Sequence, residues 1–542
     1  MSRETIFLYG PSGAGKNTVG RELAQALDLP FHDLDERIAR RAGKAVGEIF
    51  GSEGEPAFRT RERQELSSLP KEAGGVIALG GGALLDPENR ARCERRGRVL
   101  LLTAPLDVLV SRLSADVAAN PRPLVAGDTR ERLAGLLEQR HEHYASFALC
   151  LDTGGLTPEQ AVWQAQVRLG MFRPRAMGAY DVRIRRGGLD QIGEMLQERG
   201  LDGPLGLVSD ANVAPLYAGR VLASLESAGY AAAQVEIPAG EDQKTIATVA
   251  RLWESFVEAG LERGSTVLAL GGGVVSDLAG FAAATYLRGV RWAALPTTLL
   301  AMADASVGGK TGADLPQGKN LVGAFHPPSL VLADPDTLVT LPAGEVRSGL
   351  AECLKAGIIA DPELFDLCAS LGDPATRPIP AAALDEVVRR AMAVKLQVIE
   401  ADPYEQGRRA VLNLGHTLGH AVELVSGYQL RHGEAVAIGL SIEAQIAEEV
   451  GLAEPGLAQT IRHALQGLGL PVEAPPGMER EAILRAMGRD KKRRAGKIRF
   501  ALPARIGEAQ VGIEVDEALT RRVLGAARPE PEPARPIYSD NG

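Results

Sequence analysis

Positive charge, long apolar runs and paired cysteines are all scarce in this chain of 542 residues. Lys and Arg number 60 against 69 Asp and Glu, a net charge of −9. That balance gives no bulk attraction to nucleic acid or to an anionic membrane. No apolar run approaches the ~20 residues needed to cross a bilayer. The four cysteines, Cys93, Cys150, Cys353 and Cys368, include no C-x-x-C pair, so no disulfide framework is expected. The opening residues MSRETIFLYG run straight into a strand and lack the basic segment and apolar core of a signal peptide. The expectation is a cytoplasmic protein that handles small molecules, with neither nucleic acid nor membrane as partner.

Glycine is what the chain has in excess, 62 residues, many clustered behind apolar strands. At ~100–200 residues per domain the length predicts three or four domain-sized units. Residues 1–170 alternate short apolar runs with amphipathic stretches: TIFLYG (5–10), a helical pattern from Asn17 to Leu27, GVIALGGG (75–82) and RVLLLTA (98–104). That alternation predicts a parallel sheet with helices on both faces. Thr157-Pro158-Glu159 reads as a helix start, running to about Leu169. MFRPRAMGA (171–179) then reads as a linker. Strands ending in Gly or polar turns recur over 180–341, predicting a second α/β domain. Long helical patterns dominate 342–526, predicting an α-helical domain. The Pro- and charge-rich tail, 527–542, reads as disordered.

GPSGAGKNT (10–18) fits G-x-x-x-x-G-K between a strand and a helix. There the loop amides and helix N-terminus (Gly13, Ala14, Gly15, Asn17, Thr18) cradle phosphates, and Lys16 reaches the terminal ones. Asn17 stands where Ser or Thr normally holds Mg²⁺; Thr18 comes one residue too late. FHDLDERI (31–38), GEPAFRTRE (54–62), LGGGALL (79–85), PRPL (121–124) and RHEHY (140–144) follow in order. Over roughly 1–170 this set resembles shikimate kinase. The resemblance implies ATP as co-substrate and Mg²⁺ held by Asn17 and Asp33. It implies that Asp35 binds and helps activate a shikimate hydroxyl. Arg59 and Arg140 would bind the shikimate carboxylate, Gly80, Gly81 and Gly82 would lie against the ring, and Arg122 would be a lid residue touching the transferring phosphate. Phosphoryl transfer needs cations on the phosphates and a carboxylate near the nucleophile, which this set supplies.

NLGHTLGHAVE (413–423) places His416 and His420 four apart on one helical face, and spacing alone suggests that pair as joint zinc ligands. GGGVVSDLAGFAAATYLRGV (271–290), the stretch 296–328, RSGLAECLKAG (347–357) and the two His segments resemble 3-dehydroquinate synthase, over about 178–510. That resemblance implies a different zinc (or cobalt) set, Glu352, His416 and His432, with His420 near the substrate phosphate. It implies NAD at Asp210, Asn212, Gly240, Glu241, Lys244, Gly273, Val274, Val275, Ser276, Asp277, Thr297, Thr298, Lys310, Lys319, Thr337, Leu338, Val339 and Thr340. Ser276 departs from the family's usual Gly: a small residue costs little there, and strain is expected only where the backbone takes Gly-like angles. The implied substrate, 3-deoxy-D-arabino-heptulosonate 7-phosphate, carries a carboxylate and a phosphate. Matching cations are Arg288, Lys310, Lys319, Lys355, Lys395 and Arg409, with Lys491 or Lys492 closing the site. Acceptors and hydroxyl partners are Asp304, Asn320, Glu405 and Asn413. A homodimer through the synthase part is also implied.

The two resemblances together predict one α/β chain carrying two enzymes of the route to aromatic amino acids, acting at non-adjacent steps. A polyol dehydrogenase would share the NAD half and the His pattern, but has no need of Lys310, Lys319, Lys355, Lys395 and Arg409 around one phosphate. A non-catalytic nucleotide-binding module is the alternative for residues 1–170, because Asn17 weakens the metal site.

Overall fold

A computed structural model describes residues 4–69, 74–116, 129–489, 493–494 and 497–525. Arg122, Lys491, Lys492 and the tail from 527 lie outside the described residues. Contacts divide the chain into two units: one of residues 1–296 and 309–336, the other of 297–308 and 337–542.

The first unit holds two parallel sheets. The strands of the first are β1 (Thr5–Tyr9), β2 (Phe31–Asp33), β3 (Gly75–Ala78), β4 (Gly97–Thr103) and β5 (Cys150–Asp152), in the order β2-β3-β1-β4-β5. Its strands are continuous apolar runs, as expected when helices cover both faces. Ile6, Leu8, Val76, Leu100 and Leu102 bury one face against Leu23 and Leu27 of the helix that follows β1. The second sheet comprises β6 (Met171–Phe172), β7 (Asp181–Ile184), β8 (Leu205–Asp210), β9 (Ala232–Ile237), β10 (Thr266–Gly271), β11 (Arg291–Pro296) and β14 (Leu330–Ala333). Their order is β6-β7-β14-β11-β10-β8-β9, with only β6 antiparallel. A two-stranded hairpin, β12 (Lys310–Leu315) and β13 (Gly318–Phe325), stands apart from it.

The expected linker begins as structure. Met171 and Phe172 pair with Arg183 and Val182 and are 0% and 1% exposed. Met171 packs into the core of the first sheet while its backbone joins the second. Arg173 bridges Asp28 at 3.1 Å and Asp181 at 2.9 Å, and Arg175 donates to the Gln25 carbonyl at 2.7 Å.

The second unit is helical, as predicted, with one addition. Three strands, β15 (Arg493–Arg494), β16 (Lys497–Arg505) and β17 (Glu508–Asp516), form an antiparallel sheet. Ile498, Phe500, Leu502 and Val515 of that sheet pack on Leu418, Val422, Ile438 and Ile442. Among the described residues no helix is long and apolar enough to cross a membrane.

The helices that carry site residues are, in chain order, α1 (Lys16–Leu27), α2 (Leu34–Ala42), α3 (Val46–Ser68), α4 (Gly273–Thr285), α5 (Ala343–Ala360), α6 (Ala381–Ala401), α7 (His416–Val425) and α8 (His432–Glu449).

Candidate active sites

The first site forms where β1 turns into α1. Gly13 has φ +85°, and a Cβ there would sit 2.9 Å from the Leu109 carbonyl oxygen, so the turn requires glycine. The N-terminus of α1 has no side-chain cap. A helix start of this kind suits an anion, and Ala14 is buried beneath the loop. The Lys16 ammonium donates to the carbonyls of Gly10 and Pro11 at 2.8 and 2.9 Å.

Asn17 and Asp33 meet, as the magnesium expectation requires, but as donor and acceptor: Asn17 Nδ2 lies 2.5 Å from Asp33 Oδ2. Asp33 Oδ1 caps α2, accepting from the amides of Asp35 at 2.8 Å and Glu36 at 3.2 Å. Mg²⁺ takes oxygen ligands, so this pair fits the ion only with the amide oxygen of Asn17 turned toward the carboxylate.

The expected shikimate residues converge. Gly80 follows β3, and a Cβ there would lie 3.0 Å from Glu62 Oε1 and 3.1 Å from Asp35 Oδ1. A Cβ on Gly82 would overlap the Arg59 guanidinium, and Arg140 donates to the Gly81 carbonyl at 2.8 Å. Glu62 is a participant that sequence reading missed; it is fully buried and pairs with Arg59 at 2.8 Å. Arg59 also holds Glu55 at 2.9 Å. Burial raises the Glu62 carboxyl to about 7; Arg59 opposes the rise, while the charges of Asp35 and Glu55 add to it. Its place three residues after Arg59 on one helix was the only available signal.

The NAD expectations fall in two sets. In the first unit, α4 starts at Gly273 directly behind β10, again with no side-chain cap. Its first-turn amides, with Val274 and Val275, form an anion cradle at the end of a parallel strand. Ser276 sits inside α4 and is not among the residues with positive φ, so it takes no Gly-like angle. Its buried hydroxyl has no hydrogen-bond partner, an orphaned polar atom that suits a polar ligand. Lys244, buried, bridges Asp277 at 2.6 Å and donates to Asn320 at 2.5 Å. Burial lowers its pKa, but Asp277 outweighs burial and the net shift is upward. Lys319 pairs with Glu241 at 3.1 Å beside Gly240. Asp210 accepts from the amides of Asn212 and Val213 at 2.8 and 3.0 Å, so one of its oxygens shapes its own loop. Arg288 has φ +69°, a conformation that costs a non-glycine residue ~1–3 kcal/mol. Lys310 is exposed at the start of β12.

The second set lies in the other unit. Thr298 Oγ1 accepts from the Ala301 amide at 3.1 Å, and Thr340 donates to the Thr337 carbonyl at 3.2 Å. Thr297 and Leu338 are buried and Val339 is exposed.

The second unit also carries the metal candidates. Ligand atoms of Glu352, His416 and His432 lie within 4.8 Å of one another. Glu352 Oε1 is 3.4 Å from His416 Nε2 and 3.3 Å from His432 Nε2. Both oxygens of Glu352 are buried; Oε2 meets the Lys355 ammonium at 2.5 Å and Oε1 faces the two imidazoles. Two imidazoles and a carboxylate around such atoms fit a zinc-type ion with positions left open. The His416–His420 pair suggested by spacing falls in no common group of candidate ligands among the described residues. His420 instead lies with Glu423 and His432.

The charges around these three groups pull their titrations in opposite directions. Burial would raise the Glu352 carboxyl, but Lys355, at 2.5 Å, and the two histidines hold it well below the usual range. Burial and Lys355 push His416 down to about 3, leaving it neutral at neutral pH. Burial also lowers His432, but Glu352 and Glu423 overcome it and lift the ring to about 9.

Of the expected cations, Lys355, Lys395 and Arg409 belong to the same unit as the metal candidates. Lys355 also donates to the Leu412 carbonyl at 2.8 Å. Lys395 of α6 pairs with Asp304 at 2.7 Å, where Asp304 lies on a single π-turn, Ala301–Ala305. Burial lowers the Lys395 pKa despite Asp304. Asn413 donates to Glu405 at 3.3 Å. Arg409 is buried with its guanidinium on the carbonyls of Pro403 and Gly308, so it closes a loop as well as adding charge.

Comparisons with known proteins agree with this layout. Residues 12–169 match the family model of shikimate kinase. Residues 234–348 match that of the 3-dehydroquinate synthase N-terminal region, and 349–493 that of its C-terminal region. The 3-dehydroquinate synthase of Nostoc punctiforme is 45% identical over 348 residues, 64% of this chain and 96% of that protein. A crystal structure of 2-epi-5-epi-valiolone synthase from Streptomyces hygroscopicus, with NAD⁺ and Zn²⁺ bound, is 33% identical with a TM-score of 0.58. It covers 64% of this chain and 95% of its own. A 2-deoxy-scyllo-inosose synthase complexed with carbaglucose-6-phosphate, NAD⁺ and Co²⁺ shares the fold at 24% identity, with a TM-score of 0.60, covering 66% of this chain and 100% of its own. The chain belongs to the 3-dehydroquinate synthase family and carries a shikimate kinase domain ahead of the synthase.

Proposed function

We propose that the chain catalyses two reactions in the cytoplasm. One is ATP-dependent phosphorylation of the shikimate 3-hydroxyl. The other converts 3-deoxy-D-arabino-heptulosonate 7-phosphate to 3-dehydroquinate and phosphate, with NAD and zinc or cobalt as cofactors. The observation that carries the second reading is the buried cluster of Glu352, His416 and His432 with Lys355 and Lys395 alongside.

In the kinase, the α1 amides and Lys16 hold the ATP phosphates, with Mg²⁺ on Asp33 and Asn17. Arg59 and Arg140 hold the substrate carboxylate as bidentate partners. Asp35 takes the hydroxyl proton, and Arg122 covers the transferring group. Binding and charge placement supply most of the rate in such a transfer.

In the synthase, the metal on Glu352, His416 and His432 supplies Lewis acidity toward substrate hydroxyls, and NAD supplies reversible hydride removal. The chain's own residues bind and orient. Lys355, Lys395, Arg288, Lys310 and Lys319 neutralise the carboxylate and phosphate, and His420 acts near the substrate phosphate. Asp304 keeps Lys395 in place, and Asn320, Asn413 and Glu405 meet hydroxyls. The α4 amides and the Lys244–Asp277 pair hold the dinucleotide, and Lys491 closes the site. A homodimer through the synthase part is included in the proposal.

Two assays on the purified, metal-loaded chain test this. The synthase should release one phosphate per 3-dehydroquinate with no net NADH. Phosphate release without 3-dehydroquinate would overturn that reading. The kinase should release ADP only with shikimate present. Because Asn17 donates to Asp33, a non-catalytic nucleotide-binding module is the second reading, and silence of both wild type and Asn17→Ser in this assay, beside an active synthase, would favour it.

A further inference from the structure

Both histidine ligands are the first residues of helices: His416 opens α7 and His432 opens α8. The amides at a helix start need acceptors, and Gly415 offers no side chain. No capping residue could replace it. Gly415 has φ +79°, and a Cβ there would lie 2.8 Å from Leu440 Cγ. The acceptor comes from α8 instead. Glu443, fully buried, accepts from the Gly415 amide with Oε2 and from the Leu418 amide with Oε1 at 3.3 Å.

The support runs in the other direction as well. Glu423 lies on α7, is 6% exposed, and places Oε2 3.7 Å from His432 Nδ1. The other ring nitrogen of His432 faces Glu352. Ser348, one turn before Glu352 on α5, accepts from the Gly433 amide at 3.0 Å and ties the third ligand-bearing helix to the start of α8.

We propose that Glu423 and Glu443 are reciprocal positioning residues for the metal ligands, each carried on the helix of one histidine and holding the start of the other. Resting on the assignment of Glu352, His416 and His432 as the metal site, this goes beyond it. A buried carboxylate is expensive unless its lone pairs are used. Glu443 uses both oxygens on amides that flank His416. Glu423 turns the His432 ring so that Nε2 is the ligand atom, the outer-shell role that carboxylates take behind metal-bound imidazoles.

The test is cobalt titration of the full chain after metal removal, read by visible absorption and by competition with a chromophoric chelator. Wild type should bind one Co²⁺. Glu423→Gln and Glu443→Gln should bind about 10–100-fold more weakly, the size of effect usual for such partners, with altered absorption bands. The metal-free melting temperature of Glu423→Gln should match wild type, which separates positioning from a general loss of fold. Where Glu443→Gln does not fold, Glu443→Asp is read in its place. Wild-type affinity and spectrum in both variants would overturn the proposal and leave the metal site standing. No cobalt binding by wild type, or undiminished binding by Glu352→Gln, would overturn the metal site and the proposal together.

Discussion

Replacing Glu62 by Gln should abolish a pH dependence in shikimate binding. Glu62 is fully buried, 2.8 Å from the Arg59 guanidinium, and its carboxyl is pushed up to about 7. From that value it is ~3% ionised at pH 5.5 and ~90% ionised at pH 8. The raised pKa means that the fold favours the protonated form, so the negative charge arrives as pH rises through 7. Below that, Arg59 is shared only with Glu55 and is open to a ligand carboxylate. Above it, the ligand must bind beside a second carboxylate on the same guanidinium. Two like charges ~6 Å apart at an effective dielectric of ~20 repel by about 3 kcal/mol. Arg59 between them offsets about half of this, leaving roughly 1.4 kcal/mol, or about tenfold in affinity.

Shikimate affinity, measured calorimetrically without nucleotide, should therefore fall about tenfold from pH 5.5 to 8.5 in wild type. It should stay flat in Glu62→Gln at the low-pH value. A free carboxylate titrates near 4, so the ligand itself contributes nothing over this range. His143 hydrogen-bonds Tyr9 nearby, and burial and Arg90 lower its pKa. It is present in both proteins and cancels in the comparison. Equal slopes in wild type and variant would refute the reasoning.

Asn17→Ser removes the amide that donates to Asp33 and supplies a hydroxyl; the Mg²⁺ concentration for half-maximal shikimate-dependent ADP release should fall about tenfold, and an unchanged value would exclude Asn17 from the metal site. Glu352→Gln leaves Lys355, 3% exposed, without its 2.5 Å partner. Denaturant unfolding of the metal-free variant should show a loss of about 3–5 kcal/mol, with Glu352→Gln/Lys355→Met closer to wild type; equal losses in both would sink the argument. Met171→Ala should cost about 2–5 kcal/mol, seen as earlier thermal loss of kinase activity. No change would make residues 171–179 the tether that their composition suggests.

The parts of the molecule that were legible in the sequence are those whose chemistry is local. The phosphate loop needs a strand, glycines, a lysine and a helix in succession, and all four are contiguous from Thr5 to Leu27. Thr157 caps its helix as read, with Gln160 completing a capping box. The metal triad is a different case. Its candidate ligands come from three helices, and the one local regularity, the spacing of four from His416 to His420, joins two residues that share no candidate group. Resemblance supplied Glu352 and His432; nothing in the spacing could. Glu62, Glu423 and Glu443 were invisible for the same reason, since a buried acid and a solvated acid on a helix read alike until the helix has neighbours.

The expected linker failed in a more instructive way. Two residues cannot show a period, and Pro174 and Gly178 close by are loop signals. Met171 nevertheless fills the core beneath the first sheet while its backbone extends the second, and Arg173 joins Asp28 at the C-terminal end of α1 to Asp181 on β7. Helix α1 is thus anchored at its far end by Arg173, next to β6, and through it by Asp181 of β7. A chain built this way is not two enzymes on a string. Moving the boundary by one residue, from 170 to 171, decides whether a kinase fragment keeps its core intact.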